Sequence, residues 1–514
     1  MKRISMKTIP REAAYHPSLD EFIRKSGKGN LIPVYREILA DLETPVSAFL
    51  KIRDERYGFL LESVEGGEKW ARYSFLGSRP SLVIKGSLDE LALIRPKRVD
   101  RLPVKTDPLE TLKEIMADYQ PVEVEGVPRF FGGAVGYLGY DLIRSIERLP
   151  DLNRDRLDLP VMSLMVTDTL LIFDNVAQTI KVVSNVHLTG GERRGPDAAR
   201  RAYREAVDKI EAIIARLRKP GRFPKERRRP RGKSSEVNIT SNMSSPAFQK
   251  MVRQAKEYIR SGDIFQVVLS QRFETEAGSE PFDIYRALRV INPSPYMYYL
   301  QLDGIELVGS SPEVLVRCED RKIELRPIAG TRPRGRNEEE DQAQERELLN
   351  DQKERAEHIM LVDLGRNDVG RVSEVGKVHV EKLMAVERYS HVMHLVSQIE
   401  GRLRKDQDVY DVMRAGFPAG TVSGAPKIRA MEIIEELEPT GRGPYAGAVG
   451  YFSFSGNMDT CINIRTIVIK DGRAYIQAGA GIVADSDPGR EYQETVNKAK
   501  AMLAAIEKAR HGLE

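Results

Sequence analysis

The apolar residues of this chain gather in short β-branched runs that come in blocks, with helical stretches in blocks between them. A parallel sheet needs a crossover helix after nearly every strand. This order therefore excludes a doubly wound fold and predicts an α+β architecture, with large antiparallel β-sheets packed as a sandwich and helices outside. After amphipathic segments near Leu19–Lys25 and Val34–Leu42, length and β-branching mark Gly58–Val64, Trp70–Leu76, Leu82–Ile84, Phe130–Tyr140, Val161–Phe173 and Thr179–Val186 as strands. Ala198–Leu217 has helical spacing. Further on, Ala247–Ser261 and Glu338–Gly365 read as helices, and Ser486-Asp487-Pro488 opens a last one with a capping side chain and a first-turn proline. Phe265–Phe273, Gly447–Ser453, Cys461–Ile469 and Arg473–Gln477 read as strands.

One segment divides the 514 residues. Arg216–Lys233 holds ten Lys or Arg against one acid, Glu226, and so carries +9. The net charge is +4, which leaves 4 − 9 = −5 on the rest. Pro220, Gly221, Pro224 and Pro230 prevent a regular helix there. Residues 216–234 thus read as a linker or surface loop between 1–215 and 235–514. A nucleic-acid tether is the other use of such a run, but no aromatic recognition motif accompanies it. The composition, 41% hydrophobic and 30% charged, is globular. Two cysteines, Cys318 and Cys461, exclude a disulfide framework and fit a reducing cytoplasm. Met1-Lys2-Arg3-Ile4-Ser5 is basic but has no apolar stretch behind it, so no signal peptide is expected. The most apolar region, Val161–Ala177, is broken by Asp168 and Asp174 and is too short to span a bilayer.

Several residues stand out chemically. Glu354 and Glu357, like Glu491 and Glu494, are three apart on helical stretches, which puts each pair on one face. Two such faces brought together offer oxygen ligands to a hard cation such as magnesium. Solvated helix surface is the plainer use of the same spacing. Arg465 lies in an otherwise apolar run and calls for an anionic partner, either a substrate carboxylate or an internal acid. Gly479-Ala480-Gly481 lets backbone N–H groups approach a carboxylate. Lys498, four residues after Glu494, reads as a helix ion pair. His391 and His394 lack the surroundings of a zinc site. His394 has a structural reading and an acid–base one. Gly133-Ala134-Val135-Gly136-Tyr137 recurs as Gly447-Ala448-Val449-Gly450-Tyr451, an echo too short to establish duplication. Neither copy has dinucleotide-binding spacing, and there is no P-loop.

A longer series is specific. Asp263-Ile264-Phe265-Gln266-Val267-Val268-Leu269-Ser270, Ser310-Ser311-Pro312-Glu313 and Pro327-Ile328-Ala329-Gly330-Thr331 occur in order. Glu357-His358-Ile359-Met360-Leu361-Val362-Asp363-Leu364-Gly365-Arg366-Asn367-Asp368 follows, then Gly424-Ala425-Pro426-Lys427, Gly479-Ala480-Gly481 and Glu494-Thr495-Val496-Asn497-Lys498-Ala499. Together they resemble the chorismate-binding enzyme family across nearly all of residues 245–510. The whole length is similar to its anthranilate synthase branch, in the large, chorismate-using subunit. The resemblance implies that chorismate and ammonia become anthranilate and pyruvate, the first committed step of tryptophan biosynthesis. It implies that Glu357 and Glu494 bind Mg2+ with Glu354 and Glu491 in support. Tyr445, Arg465, Gly479, Ala480 and Gly481 would hold substrate carboxylates, with Lys498 at the same site and Gly330 and Thr331 beside the ring. Glu313 would protonate the departing hydroxyl, and His394 would serve the second elimination.

Gln266 separates this chain from relatives that add water, which carry a lysine there. Ala329 separates it from aminodeoxychorismate synthases, which tend to carry a lysine at that position. An enzyme that stops at the aminated intermediate is the nearest rival reading; a catalytically silent regulator is a more distant one. The resemblance also implies a glutamine amidotransferase partner subunit and feedback inhibition by L-tryptophan. Leu61-Glu62-Ser63 and Asn292-Pro293-Ser294-Pro295-Tyr296-Met297 resemble the inhibitor site. There Glu62 would meet the ligand's ammonium, Ser63 would hydrogen-bond it, and Pro295, Tyr296 and Met297 would wall the indole.

Overall fold

The structure is a computed structural model and describes residues 15–64, 72–153, 157–190, 195–220, 238–389 and 392–513. Met1–Ser5, Trp70, His391 and most of the 216–234 segment lie outside these residues. Among these residues two large sheets, of thirteen and twelve strands, form the body, and all their strand pairs are antiparallel. The α+β expectation holds. Helices cover the outside. In Pro196–Leu217, the buried Ala199, Tyr203, Ala206, Ile210, Ile214 and Leu217 recur every three or four residues, the spacing of one helix face. Each large apolar side chain buried this way contributes about 1.5–3 kcal/mol.

Both sheets draw on both sides of the basic segment. The middle of the larger sheet is Tyr57–Glu62 paired with Tyr296–Leu302. Outward on one side lie Tyr73–Ser78, Thr169–Asp174, Thr179–His187 and Leu31–Leu39. Outward on the other lie Ile305–Ser311, Thr466–Lys470, Arg473–Ile482 and Gln266–Glu276, in the matching order. The helices follow suit. Pro196–Leu217 packs on Thr179–His187 beside Leu19–Lys25 and Pro45–Ile52. Pro488–His511 packs on Arg473–Ile482 beside Ser245–Arg260 and Pro281–Ile291.

The five-residue echo marks the middle of the smaller sheet. Gly133–Leu138 pairs with Ala448–Ser453, and Gly136 faces Gly450. A Cβ on Gly136 would sit 2.0 Å from Ser163 O, and one on Gly450 would sit 2.1 Å from Asp459 O. Close backbone approach therefore demands glycine at both positions. The largest apolar core holds residues of both halves, from both sheets and from the helices packed on them.

Three predicted elements divide. Val161–Phe173 is two strands, Met162–Thr167 and Thr169–Asp174, meeting at Asp168. Cys461–Ile469 contributes to two strands, Met458–Ile462 and Thr466–Lys470. Arg465 is thus not inside a strand, as the apolar run suggested. It sits at the corner between them with φ 53°. Glu338–Gly365 becomes helices Glu338–Asn350 and Gln352–Gly370, and the Asp351 side chain caps the second by accepting from Lys353 N and Glu354 N.

Candidate active site

Gln266–Glu276 and Arg473–Ile482 are neighbouring strands that bring Gly479, Ala480 and Gly481 opposite Ser270, Leu269 and Val268. A Cβ on Gly479 would fall 2.6 Å from the Tyr445 hydroxyl, and one on Gly481 would fall 2.8 Å from Gln266 Nε2. Side chains at either position would fill the space in front of the strand. Arg465 reaches the same place. Its Nη1 donates to Lys498 O at 3.3 Å, and it has no ion pair among the described residues. Burial lowers its pKa, while Tyr445 and Glu494 oppose that shift. A guanidinium in this state is completed by an anion. Tyr445 is buried, and burial pushes its hydroxyl up to about 12, so it stays a neutral donor.

The Lys498 ammonium donates to Gly479 O at 3.0 Å and pairs with Glu494 at 2.6 Å, so the expected helix ion pair forms while Lys498 also touches the cradle.

Beneath Tyr445 lies an ion pair that the sequence reading missed. Arg442 and Glu438 are almost wholly buried, with Arg442 Nη2 2.7 Å from Glu438 Oε1. Arg442 also donates to Val422 O and Val268 O, and Glu438 accepts from the Ser270 amide and hydroxyl. The guanidinium lies 5.5 Å from the Tyr445 ring centre. The pair is fully hydrogen-bonded, the condition under which buried charge is tolerated. Its only sequence signal is four-residue spacing, which is indistinguishable from an exposed helix pair.

Glu313 follows the strand Ile305–Ser311 and is 8% exposed. Burial raises its carboxyl to about 8, against smaller opposing effects of Thr421, the Ile328 amide and Lys498. It therefore keeps its proton at neutral pH. Thr421 is a further neighbour that no motif had flagged. On the smaller sheet, Thr331 pairs with His394, and Gly330 is the residue where the register shifts. Gly330 has φ 69°, a left-handed conformation suited to glycine. The bulge turns its carbonyl toward His394 Nδ1 at 3.0 Å, and the Thr331 hydroxyl lies 3.1 Å from the same nitrogen. A carbonyl only accepts, so Nδ1 carries the proton and Nε2 is left as a base. Burial lowers the His394 pKa, and Arg465 lowers it further.

The glutamates meet only in part. Burial raises Glu357, and Glu354 and Glu494 raise it further, while Gln266 Nε2 donates to it at 3.0 Å. Glu491 is raised by burial and by Glu494. Crowded carboxylates that repel one another fit a divalent cation, as does the buried Gln266 Oε1, which has no hydrogen-bond partner among the described residues. Glu354, however, is turned to Arg332, which donates to it at 3.3 Å. No three of the four have ligand atoms within 4.8 Å of one another. Among the described residues only His379, Glu381 and Glu400 do so.

A separate pocket, partly open to solvent, lies between the sheets at their centre. Leu61, Glu62, Ser63, Pro295, Tyr296 and Met297 line it, so the two distant segments do come together. Glu62 is already engaged there. Its side chain is 2% exposed, and its carboxylate is held by Arg289 at 3.1 Å and by the Tyr285 hydroxyl, both from the helix Pro281–Ile291.

The family model for chorismate binding enzyme matches residues 62–504. Anthranilate synthase component 1 from Acetivibrio thermocellus is 52% identical, with 96% of this chain and 99% of that protein covered. The protein of the same name from Aquifex aeolicus is 49% identical, with 97% and 99% covered. The crystal structure of anthranilate synthase component I from Streptococcus pneumoniae superposes with a TM-score of 0.73 at 39% identity, over 90% of this chain and 98% of that one. The menaquinone-specific isochorismate synthase from Escherichia coli shares the fold, with a TM-score of 0.65 at 19% identity over 95% and 98%. The chain belongs to the chorismate-binding enzyme family, in its anthranilate synthase component 1 branch.

Proposed function

We propose that the chain converts chorismate and ammonia to anthranilate and pyruvate, the first committed step toward tryptophan. The observation that carries this is a buried carboxyl, Glu313, at a site where Arg465 has no ion pair among the described residues. Arg465, Tyr445 and the Gly479–Gly481 backbone hold substrate carboxylates. Glu313 gives its proton to the hydroxyl leaving carbon 4. Ammonia adds at carbon 2. Gln266 cannot deprotonate water, but its unpartnered Oε1 can accept from an N–H. In the second elimination His394 Nε2 takes the carbon 2 proton, the ring becomes aromatic and pyruvate leaves.

Glu357 and Glu494 would hold Mg2+, with Glu491 nearby and Glu354 released from Arg332. Bound there, the ion supplies positive charge for the ring carboxylate. Ammonia comes from a glutamine amidotransferase partner, because Cys318 and Cys461 are both buried and burial pushes both thiols up, Cys318 to about 12. Neither suits a glutaminase nucleophile. L-tryptophan would act as a feedback inhibitor from the central pocket, where Ser63, Pro295, Tyr296 and Met297 meet. A cytoplasmic location completes the reading. It agrees with two unpaired cysteines and with the absence, among the described residues, of any helix long and apolar enough to cross a membrane.

The test is to incubate the purified chain with chorismate, Mg2+ and either ammonium or glutamine. Anthranilate fluorescence should appear with ammonium and not with glutamine. Isochorismate or an aminated, non-aromatic product as the end point would overturn the assignment, and glutamine-dependent activity would overturn the two-subunit model.

A further inference from the structure

The cavity and the carboxylate cradle are joined by one tyrosine. Tyr298 lines the cavity, and its ring lies across Gly309, the residue opposite it on the next strand. A Cβ on Gly309 would sit 2.0 Å from that ring, so only glycine lets the side chain pass. The hydroxyl reaches one strand further. It lies 2.6 Å from Thr466 Oγ1 and 3.2 Å from Asn463 Oδ1. These residues flank Arg465.

Asn463 is fully buried and ties two turns together. Its backbone N–H donates to Gly447 O at 2.8 Å, and its backbone carbonyl accepts from Ala446 N at 3.0 Å, while its side-chain Oδ1 meets Tyr298. Ala446 follows Tyr445 and has φ 65°, and Arg465 has φ 53°. Both side chains assigned to the substrate carboxylates thus stand on left-handed, non-glycine turns, which persist only where the surroundings over-determine them. A second route converges on the same corner. Ser294, beside Pro295 of the cavity wall, bonds Ser310 O at 3.2 Å, and Ser310 N donates to Arg465 O at 3.1 Å.

We propose that Tyr298 and Asn463 are positioning residues that hold the Tyr445 and Arg465 turns in register, and that a ligand in the central cavity alters chorismate binding by displacing the Tyr298 ring. The second half rests on the proposed function of the cavity. A ligand acts here only through differential affinity for the two placements of the ring, and the coupling is reciprocal.

The test is Tyr298→Phe, which keeps the ring and removes the hydroxyl. The chorismate KM should rise about three- to tenfold, the worth of one neutral hydrogen bond, while kcat changes by less than about twofold. Tryptophan, followed by calorimetry, should bind within about threefold of wild type. The factor by which saturating tryptophan raises the chorismate KM should nevertheless fall toward one. Thr466→Val, which removes the hydroxyl's other partner, should have the same signature, and the double variant should be no worse than either single one. An unchanged KM in both variants, strictly additive effects, or a wild-type coupling factor with tryptophan bound would each overturn the proposal. If the wild-type chain itself binds no tryptophan, the reading of the cavity fails and the KM comparison alone decides the positioning role.

Discussion

Glu313 binds a proton more tightly in the folded chain than in the unfolded one, so activity and stability should both fall as pH rises toward its native pKa. Ammonia-dependent kcat/KM for chorismate, normalised to free ammonia, should fall as pH rises through about 8, when the acid ionises. Glu313→Gln should lose about 10²–10⁴ in turnover. Between the unfolded carboxyl's pKa and about 8 the native state holds the extra proton, so stability declines as pH rises across that window. The neutral glutamine lacks this decline. Melting scans at pH 5 and pH 8 should show a smaller fall for Glu313→Gln than for wild type, and equal falls would contradict the buried-acid assignment. Glu357→Gln and Glu494→Gln should abolish Mg2+-dependent turnover with melting temperature little changed, and near-wild-type turnover in either would refute the metal assignment. That Arg465 is set apart was legible from a charge in an apolar run, though not which anion, if any, it meets. The partners of Glu62, Tyr285 and Arg289, were not legible because they lie more than two hundred residues away, where no local spacing shows them.

At the scale of elements, the decisive feature is the bulge at Gly330. A side chain there would meet a strained φ, with its Cβ 3.0 Å from Leu348 and 3.2 Å from Glu354 Oε2. Gly330→Ala should cost about 1 kcal/mol or more and move the carbonyl that fixes His394. The second elimination should slow more than the first, so the aminated intermediate should accumulate, as chromatography of quenched reactions would show. Unaltered product ratios would remove Gly330 from the site. Strand and helix identities were readable because their apolar residues keep a regular period. Their corners were not. Asp168 and Arg465 turn the chain inside apolar runs, and Asp351 breaks a charge-rich helical stretch by capping. A period reports which face is buried and says nothing about one residue at which direction changes.

For the molecule as a whole, composition located a boundary in sequence at 216–234, yet strand partners cross it in both sheets. Linear patterning cannot reveal pairing between Gly136 and Gly450, although their five-residue echo was visible. Residues 1–215 and 235–514 expressed separately should each be insoluble, and expressed together should recover anthranilate formation. A soluble, cooperatively melting fragment of either kind would count against shared sheets. The same sharing bears on how the chain is made. Tyr57–Glu62 and Gly133–Leu138 leave the ribosome as unpaired edges, and their partners Tyr296–Leu302 and Ala448–Ser453 are translated only later. At about 5–20 residues per second that wait is on the order of tens of seconds, far longer than a hairpin needs to close. Until those strands arrive, the nascent first half presents open sheet edges of the kind on which other chains can pair.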